Sequence, residues 1–262
     1  MKRRRLPGAK PRYVQHNLNF LDRPMYLPLH KSSHVTHYDD GNGFVARYAE
    51  DLGPPTAWDA CILKVLVSKM ERGDTTTIEV SNITSLLKEL NVTSSALNDT
   101  SGYRQKIWRC LLRWKNTTYE FKNYYNGHTT EHRVFSPIDD ARLDHSTGVL
   151  TVKFNELFLE ECRNSFSLLQ NLDKALQLSH TPIAARLYDI LCAKVYAMNL
   201  QGSWPIELNK LFDKIGLNTI KHRSEKLRRL EKGMQEVQKV MKVDYSVTGR
   251  DIILFYFKDV EH

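Results

Sequence analysis

The C-terminal part of the chain constrains the fold most, because its apolar residues change their spacing in a set order. Residues 182–196 have a helical pattern, and residues 206–212 form a short amphipathic segment. A long basic helix is predicted over residues 219–240, followed by two strand-like runs, 243–247 and 252–257. This order of helix, short helix, basic helix and hairpin predicts a winged helix-turn-helix.

The long basic helix separates apolar and cationic residues onto two faces. Its apolar residues recur at steps of three and four: Leu227, Leu230, Met234, Val237 and Met241. Its cations on the opposite side are Lys221, Arg228, Lys232 and Lys239. Lys221, His222 and Arg223 crowd the first turn, where the helix dipole disfavours positive charge. A DNA phosphate would reverse this penalty, whereas a solvated surface helix accounts for the cations equally well.

The charge of the chain favours a polyanionic partner. The net charge is +8 and the pI is about 9.2. The start of the chain lacks the apolar segment of a signal peptide, and no apolar run approaches the ~18–20 residues of a membrane span. The four cysteines lie far apart without metal-binding spacing, which predicts core thiols. We therefore expect a cytoplasmic protein that does not contact a membrane.

The N-terminal half contains a second basic helix. The predicted elements are a hairpin over 35–48, a helix over 57–70, a strand over 75–80, a helix over 81–90 capped by Ser81, a basic helix over 102–115, and strands over 117–125, 130–136 and 148–154, the first two joined by a turn at Asn126-Gly127. The cations of the basic helix are Arg104, Lys106, Arg109 and Arg113. Residues 13–30 are unassigned, and residues 155–179 are predicted to be helical with interruptions.

The two halves match each other in order. Trp58-Asp59 matches Tyr188-Asp189, Ile78-Glu79 matches Ile206-Glu207, and Lys106-Ile107 matches Lys226-Leu227. Because each match leads to a basic helix and a sheet, we predict an α+β fold of two tandem winged-helix domains. The predicted division is a basic, flexible arm and irregular lead-in over 1–32, a first domain over 33–155, an inter-domain helical linker over 156–180 and a second domain over 181–262.

Sequence patterns of catalysis are missing or do not fit. The chain has no P-loop, nucleophile elbow or dinucleotide-binding glycine motif. Residues 128–132 read H-x-x-E-H, but this segment is predicted to be a turn and a strand, where two imidazoles do not converge as they do on a helix. The acidic pairs Asp139-Asp140 and Glu160-Glu161 are interpreted as solvated residues. We expect no enzyme activity, no cofactor and no metal site.

The chain resembles the iteron-binding plasmid replication initiators of the tandem winged-helix class. Three stretches carry the resemblance: 35–43 with its turn, 148–155 leading into the linker, and 172–191 before the second domain. In organisation it is most similar to the RepC type and more distantly to the TrfA type. The resemblance implies binding to direct repeats at an origin, duplex opening and recruitment of replication proteins such as a helicase. It does not decide between a monomer and a homodimer.

The hypothesis of an origin-binding initiator assigns DNA contacts to both basic helices and to the final hairpin turn. The candidates are Arg104, Lys106, Arg109 and Arg113 in the first half, and Lys221, His222, Arg223, Lys226, Arg228 and Arg250 in the second. A winged-helix transcription regulator would use the same residues. An adaptor that docks a helicase is a third reading, in which Trp108 and Trp114 would supply exposed aromatic surface.

Overall fold

The computed structural model describes residues 11–28, 35–70, 75–92, 100–125, 128–144, 146–163, 167–197, 202–218, 220–249 and 251–257. Residues 1–10 of the predicted basic arm and the predicted Asn126-Gly127 turn lie outside these ranges. Within them, no helix combines the length and apolarity needed to span a bilayer.

The lead-in to the first half is ordered, which corrects the prediction of an irregular segment. It forms strand β1 (Tyr13–Asn17) and helix α1 (Leu18–Asp22), and the Asn17 side chain caps this helix by accepting a hydrogen bond from the Asn19 amide at 2.8 Å. The partner of β1 is a strand at residues 167–171, in which Asn171 pairs with Tyr13. A strand of five residues whose partner lies so far along the chain has no signature in its own sequence.

The rest of the first half follows the predicted order, with one further strand. Its elements are β2 (His37–Asp39), β3 (Phe44–Arg47), α2 (Ala57–Met70), β4 (Thr77–Val80), α3 (Ile83–Glu89), α4 (Thr100–Lys115), β5 (Thr118–Tyr125), β6 (Thr130–Phe135), β7 (Ile138–Leu143) and β8 (Leu150–Phe154). Asn82, rather than the predicted Ser81, caps α3. Strand β7 was not predicted, and it contains the Asp139-Asp140 pair interpreted as a loop.

The predicted inter-domain linker contains a strand. Helix α5 (Glu156–Arg163) is followed by β9 (Ser167–Asn171), which pairs with β1, and by α6 (Leu172–Leu178). The interruption in the helical pattern is therefore this strand. Glu161 of α5 is buried against Arg133 and Tyr124, whose hydroxyl donates to Glu161 Oε2 at 2.7 Å, so it is not the solvated residue expected from the sequence.

The second half contains a strand that the sequence did not reveal. Its elements are α7 (Pro182–Ala197), β10 (Gly202–Glu207), α8 (Leu208–Lys214), α9 (Arg223–Gln238), β11 (Val243–Thr248) and β12 (Ile252–Phe257). Strand β10 pairs with β12 at one edge of the sheet. Pro205 lies within β10, and an edge strand tolerates a proline because only one side of it donates to the sheet.

The two halves repeat one order of elements: helix, strand, helix, helix and two strands. In each half the last strand lies in the middle of a three-stranded sheet, β4-β8-β7 in the first and β10-β12-β11 in the second. The first half adds β5 and β6, which join β2 and β3 in a separate sheet. The second long helix, α4 or α9, therefore occupies the same place in both repeats.

The halves share one hydrophobic core, which includes Val14 of the lead-in and Phe255 of the last strand. The lead-in also joins them through charges. Asp22 accepts ion pairs from Lys194 of α7 at 2.9 Å and from Lys214 of α8 at 2.7 Å. Arg23 of the same segment pairs with Asp40 of the first half, so residues 11–28 link the two repeats.

Candidate nucleic-acid interface

Helix α9 presents a cationic outer face. Its inner face buries Leu230, Gly233, Met234 and Val237, whereas Arg228 on the outer side is 68% exposed in its side chain. The helix begins at Arg223, later than predicted, with His222 at the N-cap. Lys221 and His222 are exposed immediately before the first turn. The predicted separation of apolar and cationic faces is thus present in the structure.

Arg223 connects the start of α9 to the final hairpin. Its Nη1 lies 2.8 Å from Oδ1 of Asp251 in the β11–β12 turn, and both side chains are about half exposed or more, at 48% and 63%. The adjacent candidate Arg250 lies outside the described residues. The contact places a cation of the helix and the tip of the hairpin on one continuous surface.

Two other α9 candidates are held by neighbouring side chains. The Lys226 ammonium lies 5.4 Å from the centre of the Phe212 ring, so this half-buried side chain lies against α8. The Arg228 guanidinium donates to both oxygens of Glu225 at 2.8 Å. Hydrogen bonds from Arg228 and Arg229 lower the pKa of Glu225 to about 2, so its carboxylate stays ionised.

Helix α4 exposes three of its four candidates. Arg104, Lys106 and Arg109 are exposed, and the Lys106 ammonium lies 4.4 Å from the centre of the Tyr103 ring. A Cβ built on Gly148, in the β7–β8 turn, would lie 3.1 Å from Nη2 of Arg104. In each half, therefore, a cation from the start of the long helix reaches the turn of the last hairpin.

Arg113 does not join the other three α4 candidates at the surface. Its side chain is 23% exposed, its Nη1 lies 2.9 Å from Oδ2 of the buried Asp59, and its Nε donates to the Leu52 carbonyl at 3.1 Å. Asp59 belongs to the N-terminal turn of α2, so Arg113 attaches α4 to α2. The Arg113 side chain is thus engaged in an internal ion pair.

The aromatic residues of α4 belong to the core rather than to an exposed surface. Trp114 is 1% exposed, and its Nε1 donates to the Asp59 carbonyl at 3.0 Å. Trp108 is half-buried. This corrects the expectation of an exposed aromatic docking surface on this helix.

The H-x-x-E-H segment has the backbone expected from the sequence. His132 lies in β6, where its Nε2 is 3.1 Å from Oε1 of Glu120. Across the described ranges, no three His, Cys, Asp or Glu side chains are grouped as a metal site.

A basic pocket between α7 and α9 was not predicted from the sequence. It has a volume of about 320 Å³, and its basic side chains are His180, Arg228, Arg229 and Lys232. The residues belong to two elements separated by some 50 positions in the chain, so only the packed structure brings them together. We refer to it below as the α7–α9 pocket.

Comparison by sequence finds no relative: no family model matches the chain, and no curated protein matches it. Comparison by structure finds that the fold is shared with an initiator protein over nearly the full length of both chains. That protein is the Pi initiator, solved in complex with iteron DNA, with a TM-score of 0.62, 12% sequence identity, and coverage of 95% of this chain and 98% of the other. At this identity the likeness establishes the fold.

Proposed function

We propose that this protein binds direct repeats at a plasmid replication origin and initiates replication there, through two tandem winged-helix domains. The observation that carries the proposal is the shared fold with the Pi initiator bound to iteron DNA, together with an exposed cationic helix at the same place in both repeats. The protein works as a DNA-binding protein, without cofactor, metal or catalytic turnover.

Each repeat has the parts that a winged helix uses on DNA. The long helices α4 and α9 would enter successive major grooves, about 10–10.5 bp apart. The β7–β8 and β11–β12 turns would lie on phosphates or in a minor groove. The contacts of Arg104 and Arg223 with these turns support this placement, because they join each turn to the start of a long helix. Because the shared core joins the repeats, binding by one raises the effective concentration of the other.

The proposed DNA contacts are the candidates from the two long helices and the final hairpin turn, except Arg113. In the first domain they are Arg104, Lys106 and Arg109; in the second they are Lys221, His222, Arg223, Lys226, Arg228 and Arg250. Arg113 has an indirect role, because its ion pair with Asp59 holds α4 against α2. After binding, the protein would help to open the duplex and recruit replication proteins such as a helicase. It would act in the cytoplasm, as a monomer or as a homodimer. A RepC-type organisation is part of this proposal.

The test measures affinity for repeat-bearing DNA over a series of salt concentrations. Arg109→Ala and Arg223→Ala should each lose about 1–3 kcal/mol of binding free energy where the side chain reads a base edge. Arg47→Ala is the control, because Arg47 is 54% exposed and pairs with Glu120 on a separate sheet. For the intact protein, the logarithm of affinity should fall with the logarithm of salt at a slope of about −0.9 per phosphate contacted.

A shallow salt slope together with unchanged affinity in both variants would contradict the proposal. Replication of a plasmid carrying the repeats, supplied with the protein in trans, separates an initiator from a transcription regulator. A regulator would bind the same DNA and alter expression of a neighbouring gene without supporting replication.

A further inference from the structure

Helices α7 and α9 pack unusually closely at Gly233. A Cβ at this position would lie 2.9 Å from Ile183 Cγ2 and 3.0 Å from Leu187 Cδ1, so only glycine fits without a shift. Because Ile183 is in the first turn of α7, this packing brings the middle of α9 to the N-terminal end of α7. The α7–α9 pocket forms at this point.

The pocket carries an excess of positive charge. Arg228, Arg229 and Lys232 line it, and the exposed His180 faces it from the turn before α7. Glu225 pairs with Arg228 and Arg229 and offsets one of these charges. Within the described ranges, neither Lys232 nor His180 makes a hydrogen bond or ion pair. At least two positive charges therefore remain available to a ligand.

The N-terminal end of α7 adds to the positive electrostatic potential of the pocket. This helix has 16 residues and no acidic side chain in its first turn. The Thr181 carbonyl accepts the Ala185 amide at 2.9 Å, but in the described part of the chain no acceptor bonds the amides of Ile183 and Ala184. Cations beside a helix N-terminus are unfavourable unless an anion lies between them.

The distance along α9 allows a DNA phosphate to be this anion. Lys232 follows Arg223 by nine residues, or about 14 Å along the helix axis at 1.5 Å per residue. The major groove of B-DNA is about 12 Å wide. A helix whose first turn lies at one wall of the groove therefore brings the pocket to the phosphates of the opposite wall.

We propose that the α7–α9 pocket binds one backbone phosphate of the duplex held by α9. This inference rests on the proposed DNA-binding function and adds to it a backbone contact by Arg229 and Lys232, which are not among the DNA contacts proposed above. The contact is independent of sequence, and it fixes how deeply and at what angle α9 enters the groove.

The first test compares Lys232→Gln with Lys239→Gln in the full-length protein. Both change a lysine to a neutral residue, but Lys239, the C-cap of α9, lies outside the pocket and is paired with Glu236. Lys232→Gln should weaken binding to repeat-bearing and unrelated duplexes by a similar factor, roughly fivefold at 0.15 M salt, and should reduce the salt slope by about 0.9. Lys239→Gln should change neither. Equal losses in the two variants would overturn the proposal, and thermal unfolding of each variant verifies that it is folded.

The second test replaces single phosphates of the repeat with neutral methylphosphonates. One position should cost the wild-type protein affinity while costing Lys232→Gln nothing further, because the charge it would meet is already gone. Additive losses at every position would reject the pocket as a phosphate site. If Arg223→Ala loses affinity and Lys232→Gln does not, only this inference fails. Absence of salt-dependent binding by the wild-type protein would refute both proposals.

Discussion

Lys64 of α2 and Asp189 of α7 form a buried ion pair between the two repeats, with Nζ and Oδ1 2.6 Å apart and side chains only 7% and 3% exposed. Asp189 also accepts from the Tyr26 hydroxyl at 3.0 Å and from Gln170 at 2.7 Å. Burial alone would raise the pKa of Asp189, but the charges of Lys64 and Arg186 outweigh it and lower the pKa. The pair therefore couples the stability of one repeat to the other.

Removing the Lys64 ammonium should lower the stability of the protein. Lys64→Met leaves the Asp189 carboxylate buried beside fewer positive charges, and we expect the free energy of unfolding to fall by about 3–5 kcal/mol. Urea denaturation at pH 7 measures it. The matched control is Lys69→Met on the same helix, whose pair with Glu89 is about one-third exposed and should be worth less than about 1 kcal/mol. Similar losses in the two variants would show that the buried pair has no special role.

The burial of His16 should make the stability of the protein depend on pH. This side chain is 5% exposed, and burial, assisted by the Lys64 charge, lowers its pKa to about 3. Because the folded pKa lies below the unfolded value of about 6.5, the unfolded state binds the extra proton between these values. The contribution of His16 to stability is therefore complete above pH ~6.5 and falls by up to about 1.4 kcal/mol per unit as the pH decreases.

Urea denaturation between pH 4.5 and 6.5 tests this, because carboxylates with low pKa values change charge at lower pH. His16→Gln removes the titrating group and should flatten the dependence in this interval. An unchanged slope in the variant would assign the pH dependence to other groups.

Gly233→Ala should loosen the contact of α9 with α7. Alanine gains about 1 kcal/mol of helix propensity over glycine, but a methyl group forced into a packed core typically costs about 1–3 kcal/mol. Since both contacting side chains, Ile183 and Leu187, are buried, we expect a net loss of about 1 kcal/mol. Thermal unfolding measures it, with Gln235→Ala at an exposed position of the same helix as control. A Gly233→Ala variant more stable than wild type would contradict the close packing.

Glu225→Gln should strengthen DNA binding. The Glu225 carboxylate is ionised at neutral pH, with a pKa of about 2, and it holds both Arg228 and Arg229. Its removal frees two guanidinium groups and eliminates one repulsive charge, so affinity for any duplex and the steepness of the salt dependence should rise. Fluorescence anisotropy with labelled duplexes measures both quantities.

Glu236→Gln is the comparison for this change, because it also removes one carboxylate from α9 but leaves the pocket intact. Its effect should be smaller. Weaker binding by Glu225→Gln would mean that the carboxylate orients the two arginines rather than competing with DNA.

The long helices could be predicted from sequence because several turns of apolar spacing leave little ambiguity. The bounds of α2 were predicted as Ala57–Met70, and the cationic outer face of α9 follows from its period. The short strands β1, β7, β9 and β10 could not be predicted. Strands β1 and β9 pair with each other across most of the chain, so neither has a nearby partner in the sequence, and Pro205 within β10 disfavours a strand assignment.

Prediction from sequence is limited in the same way for the single residues proposed to contact DNA. Arg109 and Arg113 share one predicted helix face, yet the first is exposed and the second pairs with Asp59. Helical periodicity gives the direction of a side chain but not the neighbour it meets. The α7–α9 pocket could not be predicted for the same reason, since it depends on Gly233 allowing two helices to approach.

The pairing of β1 with β9 has a consequence for how the protein is made. The Gln15 side-chain amide donates to the Ser167 hydroxyl at 2.7 Å, and Ser167 is synthesised 152 residues after Gln15. The first strand must therefore wait, unpaired, while the first repeat emerges and folds. Closure of this small sheet requires residues 167–171, so a chain released before they are made would retain β1 with exposed edges, a target for chaperones and proteases.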